Sequence, residues 1–99
     1  MAVKIFIKRH FKEGHQEKGI QRLHTSRERA LRQPGYISGE TLVNHYDGAC
    51  VTVVSTWQSV DDWVSWQNSS DRHNNEEEIE SLLDKPTTYE IYDIYQSRD

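Results

Sequence analysis

One cysteine, one methionine, two prolines and five glycines are spread over 99 residues, and no apolar run approaches the ~20 residues that a membrane helix needs. The lone Cys50 excludes an intramolecular disulfide. Beside five scattered histidines it offers no Cys-rich zinc set, and no two histidines have the i, i+4 spacing of a metal-binding helix, so no metal site is expected. The opening MAVKIFIKRH places Lys4, Lys8 and Arg9 where a signal peptide needs an unbroken apolar stretch. A reducing, cytoplasmic setting without membrane attachment is therefore expected. Positive charge is also scarce, with 12 Lys and Arg against 16 Asp and Glu for a net charge of -4. This balance argues against a nucleic-acid partner, which requires clustered basic residues along a phosphate track. What is present, 34% hydrophobic and 28% charged residues, describes one globular domain over residues 1–99. A domain this small buries roughly two thirds of its unfolded surface, enough for a shallow core.

The apolar period changes along the chain. Val3 to Phe11 mixes β-branched and aromatic residues over a stretch too short for an independent helix, and reads as a strand. From His15, the positions Ile20, Leu23, Ala30 and Leu31 recur at helical spacing until Gln33-Pro34-Gly35 stops the ladder. Tyr36–Val43 and Ala49–Trp57 then form a hairpin around Asn44-His45-Tyr46-Asp47-Gly48, whose Asp-Gly pair suits a turn with positive φ. Ser59-Val60-Asp61-Asp62 reads as a capping box that opens a helix at Val60. Asn68-Ser69-Ser70 breaks that helix, and Ser70 caps a second segment to about Leu83 with Ile79, Leu82 and Leu83 inward. Thr87–Tyr95, dense in Thr, Tyr and Ile, is the last strand. The order β-α-β-β-α-β predicts an α+β, ferredoxin-like domain: a four-stranded antiparallel sheet with helices on one face.

Several strands carry large apolar side chains on both faces: Val3, Ile5 and Ile7 against Phe6, Val51 and Val53 against Val54, and Tyr89 and Ile91 against Tyr92 and Ile94. Helices cover only one of these faces, which predicts a homodimer packed sheet against sheet.

The stretches PGYISGETL and STWQSVDDWVSWQNSSDRH carry a further signal. Gln33-Pro34-Gly35-Tyr36 leads into a strand with Gly39, and Trp57-x-Ser59 is followed by Trp66, Ser69 and a basic residue at Arg72 or His73. With these motifs the chain resembles the antibiotic biosynthesis monooxygenase family, over nearly its whole length. The resemblance implies a dimeric α+β barrel and oxygenation of a small phenolic or quinol compound by O2 without a cofactor. That chemistry requires a base, a donor that steadies an oxyanion, and a dry aromatic cavity. His73 and His10 are the candidate bases, Arg72 and Asn68 the polar anchors, and Trp63, Trp66 and Tyr92 the residues that stack on a ring. A non-catalytic dimer that binds a small aromatic ligand would need only the tryptophans. The family's haem-degrading branch relies on an Asn, a Trp and a His where this chain has Ile7, Trp66 and Glu76, so only the Trp is retained.

Most of these residues also have a plain structural reading. Trp63 and Trp66 at helical spacing suit a core. His73 follows Asp71 and Arg72 at a polar helix start, Asn74–Glu78 reads as a solvated face, and Arg22, Arg27, Arg29 and Arg32 read as a basic solvent stripe. Cys50 on a central strand reads as a small buried hydrophobe.

Overall fold

The computed structural model describes residues 1–95; the last four residues of the domain lie outside the described residues. β1 (Val3–His10) is followed by α1 (Gln16–Ala30), β2 (Tyr36–Val43), β3 (Cys50–Trp57), α2 (Val60–Gln67), α3 (Ser70–Ser81) and β4 (Thr88–Asp93). The four strands are antiparallel in the order β2-β3-β1-β4, the ferredoxin-like α+β topology. None of the described helices is long and apolar enough to cross a membrane.

Strand alternation places Val3, Ile5, Ile7 and Arg9 on the helix-covered face of β1, opposite Trp57, Ser55, Val53 and Val51. Two apolar clusters fill the space beneath the helices. One joins Val3, Ile5, Ile7, Ala30, Trp57, Trp63 and Trp66; the other joins Phe11, Leu23, Val51, Ile79, Leu82 and Leu83. Val53 touches both.

Local differences from the sequence reading have local causes. β1 ends at His10, and Phe11 continues as a single bridge to Leu83, with its ring packed against Gly19 of α1. The hairpin forms, but Gly48 does not take a positive φ; only Gly14 and Gly35 do among the described residues. Asn44 Oδ1 organises the loop by accepting from the backbone N–H of Tyr46 and Asp47 at 2.9 and 3.0 Å, a side-chain turn that needs no left-handed residue. At α2, Ser59 Oγ accepts from Asp62 N–H at 3.2 Å, while the Asp62 carboxylate accepts a hydrogen bond from the Ser59 hydroxyl at 3.0 Å instead of reaching the backbone N–H. Asp is one methylene shorter than the Glu of a full capping box. The second cap is Ser69, one residue earlier than expected, accepting from Arg72 N–H at 3.3 Å.

The uncovered face of the sheet alternates apolar and charged side chains. Phe6 and Tyr92 meet edge to face with centroids 5.4 Å apart, Lys8 pairs with Glu90 at 2.8 Å, and Lys4 donates to Thr56 Oγ1 at 3.1 Å.

Gly19 fixes how closely α1 approaches this core, since a Cβ at that position would fall inside the fully buried Phe11 ring. Helix propensity alone would make Gly19→Ala stabilising by about 1 kcal/mol. The close approach reverses the sign: we expect a loss of about 1–3 kcal/mol from overpacking, read as a lower urea midpoint with an unchanged slope. Stabilisation in that measurement would show that α1 is not seated on Phe11.

Candidate functional site

A cavity lies between the helix-covered face of the sheet and the three helices, where the two apolar clusters meet. Trp57, Trp63 and Trp66 form its aromatic wall with Tyr36; Ile7, Val53, Leu23 and Ala30 complete its apolar lining. Ser26, Arg27, Glu40 and Thr41 border it from α1 and β2, and Arg9 and Arg72 border it from β1 and α3. The aromatic rings lock one another edge to face. Tyr36 and Trp57 centroids lie 5.2 Å apart at 90°, and Trp57 and Trp63 lie 6.0 Å apart at 63°. Trp57 Nε1 donates to Ser55 Oγ at 3.1 Å, satisfying a buried indole. Two glycines make room. A Cβ on Gly39 would strike the Tyr36 hydroxyl, and one on Gly35, at φ +84°, would strike the Asp62 carboxylate.

The polar end of the cavity is a buried charge cluster. Arg9 Nη2 donates to Glu76 Oε1, and Arg72 Nη2 lies 3.5 Å from Glu76 Oε2, an ion pair without hydrogen-bond geometry. The Arg9 and Arg72 side chains are 3% and 6% exposed, and Glu76 is 13% exposed. Arg72 also donates to the Tyr89 hydroxyl at 3.1 Å, and its guanidinium stands 5.4 Å from the Trp63 ring centroid. Two guanidiniums face one carboxylate, so the cluster carries one net positive charge. Arg9 Nε and Glu76 Oε2 make no hydrogen bond among the described residues. Asn75, also buried, ties the same helix to α1 by donating to Arg22 O at 2.9 Å.

Of the candidate bases, polar anchors and stacking residues, Trp63, Trp66 and Arg72 converge on this cavity. The others lie elsewhere. His73 is exposed on α3, its Nε2 3.0 Å from Glu77 Oε1. His10 ends β1 away from the cavity, with Nδ1 2.7 Å from Asp84 and Nε2 3.2 Å from Asp47. Hydrogen bonds to Asp84 and then Asp47 raise its pKa above the usual imidazole value. Asn68 is an exposed C-cap of α2, and Tyr92 is on the open face of the sheet, accompanied by Phe6. At the three haem-branch positions, Ile7 and Trp66 border the cavity and Glu76 is committed to the arginines; among the described residues no imidazole lines it.

Sequence reading missed Arg9 and Glu76, and both had a signal. Val3, Ile5, Ile7 and Phe11 share one face of β1, and Arg9 occupies the same parity. Stepping back from Leu83 and Ile79 in helical increments lands on Glu76, Asn75 and Arg72. The run Asn74–Glu78 is therefore only partly a solvated face: Asn75 and Glu76 turn inward while Glu77 and Glu78 stay out.

A four-stranded antiparallel sheet with its helices on one face defines a class of small ferredoxin-like α+β proteins, and here the space beneath the helices is an aromatic cavity. The sequence profile of the antibiotic biosynthesis monooxygenase family matches residues 2–78, and the chain belongs to that family. No curated protein sequence matches it. Solved structures with the same fold include a conserved protein from Methanosarcina mazei (TM-score 0.87, 17% identity, 93% of this chain and 91% of that one). Rv0793 from Mycobacterium tuberculosis is similar over 100% of both chains (TM-score 0.87, 11% identity). SnoaB, a cofactor-independent oxygenase from Streptomyces nogalater, is similar over 99% of this chain and 98% of its own (TM-score 0.84, 12% identity).

Removing one member of a buried ion cluster leaves the others uncompensated. Glu76→Gln should lower stability by about 3 kcal/mol or more in urea unfolding at neutral pH. His73→Ala, which breaks only an exposed pair, should leave the midpoint essentially unchanged. Equal effects would show that the arginines are not held by Glu76.

Proposed function

We propose that this chain is a cofactor-independent monooxygenase that oxidises a small phenolic or quinol compound with O2 in the cavity beneath its helices. The observation that carries the reading is the pairing of an aromatic wall with a buried cluster of net positive charge in one chamber. Family membership supports the reaction class. Trp63 and Trp66 hold the substrate ring, and Arg72 with Arg9 holds its oxygen. A nearby positive charge in a dry site lowers the pKa of a phenol and stabilises the phenolate, the electron-rich form that reacts with O2. The proton leaves to water at the polar mouth bordered by Ser26 and Thr41. In the overall balance a phenol and O2 give a quinone and water. One oxygen atom becomes the new carbonyl and the other leaves as water, while the C–H and O–H bonds of the substrate supply all four electrons. No side-chain base is needed in this reading, which assigns none to His73 or His10 because neither borders the cavity.

We further propose that a second copy covers the open face of the sheet. Phe6, Leu42 and Tyr92 supply apolar area there, and Lys4 and Lys8 alternate with Glu40 and Glu90, a pattern that a twofold axis makes self-complementary. Light scattering should give twice the 11.7 kDa chain mass. The double variant Phe6→Asp, Tyr92→Asp should be monomeric; a native chain that is already monomeric would overturn the proposal.

The activity is tested by oxygen consumption with hydroquinones, naphthols and anthrones in chelator-treated buffer. Uptake should depend on the protein and survive the chelator. Arg72→Met should lower turnover by about 100-fold, the usual cost of losing one oxyanion donor. Trp66→Leu should chiefly raise KM, and His73→Ala should change neither constant. Quenching of tryptophan fluorescence by the same compounds without any uptake would replace the enzyme reading with that of a small-aromatic-binding dimer.

A further inference from the structure

Away from the cavity, at the far end of β1, four side chains of metal-ligating type converge. Register sets His10 directly opposite Cys50 across the β1–β3 ladder, and the hairpin loop between β2 and β3 brings Asp47 back onto both. His10 Nε2 is 3.2 Å from Asp47 Oδ2, Cys50 Sγ is 3.3 Å from the same oxygen, and one ligand atom from each residue lies within 4.8 Å of the others. We propose that His10, Asp47 and Cys50 form a binding site for a divalent metal ion of the zinc type.

Tetrahedral zinc with bonds of ~2.0–2.3 Å holds its ligands roughly 3.3–3.8 Å apart, so the three atoms need to shift only slightly to admit it. The fourth residue gives the arrangement its direction. Asp84 Oδ1 is 2.7 Å from His10 Nδ1, and Asp84 N–H donates to the His10 carbonyl at 3.1 Å, so carboxylate and imidazole are held together from both backbone and side chain. A carboxylate that accepts the Nδ1 proton leaves the lone pair on Nε2, facing Asp47 and Cys50, as in carboxylate–histidine–zinc groupings. Asp47 is oriented in the same way: its Oδ1 accepts from Ala49 N–H at 3.1 Å, leaving Oδ2 for the cluster. One imidazole, one thiolate and one carboxylate make a mixed N, S, O set that favours zinc over magnesium or calcium, and their combined charge of -2 balances the ion. Three protein ligands leave a fourth position, on the side where the Asp47 side chain is 51% exposed, for water or another small ligand. The residues are too far apart in sequence to show a ligand spacing; only the strand register and the loop bring them together. Cys50 is correspondingly half-buried and hydrogen-bonded, not the buried hydrophobe expected from its place on a central strand.

The test is titration of the metal-free, untagged, reduced full-length protein with Zn2+ by calorimetry and with Co2+ by absorption. We expect one ion per chain and, for Co2+, a thiolate-to-metal charge-transfer band with the visible d–d bands of a tetrahedral site. Cys50→Ser should abolish the charge-transfer band, and Asp84→Asn, which touches no metal, should weaken Zn2+ binding by about 10- to 100-fold. Circular dichroism of each apo-variant separates loss of a ligand from loss of fold, and neither side chain is buried enough to make unfolding the expected outcome. Absence of the charge-transfer band in the native protein, or Zn2+ affinity unchanged in Cys50→Ser, would overturn the site. Neither readout depends on oxygen uptake, so this result stands apart from the proposed oxygenase activity.

Discussion

The Arg9–Glu76–Arg72 cluster is the constraint around which this domain is arranged. Burying three charges costs several kcal/mol per ion before mutual attraction returns any of it, and a core of this size has little stability to spare. An apolar trio of similar volume would join the two hydrophobic clusters into one continuous core. The cluster instead sits between them, bordering the cavity, and its charge does not cancel. Its Arg9–Glu76 pair joins the end of β1 to the middle of α3, while Asn75 and the Arg22–Glu78 pair at 2.8 Å join α3 to α1. The packing of α3 is thus set by polar contacts where most small domains would use leucine. A helix with so little apolar surface has few other ways to be held in one orientation, and that orientation places Arg72 against the ring of Trp63.

The coarse architecture was legible because each element obeys its own period. Alternation in VKIFI and ACVTVV, the helical spacing of Ile20, Leu23 and Ala30, and the stop at Pro34-Gly35 are local signals, and the element order follows from them. The tryptophans were legible for the same reason. Arg9 and Glu76 were not, because reading charge as solvent-facing overrides the position it occupies: Arg9 has the parity of the buried set, and Glu76 lies on the stripe that runs back from Leu83 and Ile79. His73 is the opposite case. Its imidazole has suitable chemistry for a base, but it is one residue beyond Arg72, and a step of about 100° around the helix carries it from the interior to solvent. The grouping of His10, Asp47, Cys50 and Asp84 was out of reach for a different reason. It depends on strand register and on the path of an irregular loop, neither of which periodicity determines.

The fold is a scaffold on which the cavity-lining side chains are set. Chains only 11–17% identical share this fold almost end to end, so what they have in common is the scaffold: a sheet and its helical cover. On that scaffold this chain sets a tryptophan wall with a net cationic end, and its position on rigid elements, two strands and two helices, matters as much as its composition. Guanidiniums fixed by Glu76 and Tyr89 do not have to reorganise when negative charge appears nearby, which is the condition under which a donor contributes most to a reaction.

The break between α2 and α3 is what allows wall and charge to meet. Trp63 and Arg72 are nine residues apart, and on one straight helix at about 100° per residue they would point in nearly opposite directions. Asn68 ends α2, and Ser69 both donates to Trp66 O at 2.8 Å and accepts from Arg72 N–H to start α3 on a new axis. The two short helices then present Trp63 and Trp66 from one segment and Arg72 from the next to the same space. A polar Asn-Ser-Ser sequence that reads as a simple interruption is therefore the element that assembles the site. Its cost is that two helix ends, each with unsatisfied backbone groups, lie beside the chamber, and the Ser69 hydroxyl, bonded to both helices, relieves part of that cost.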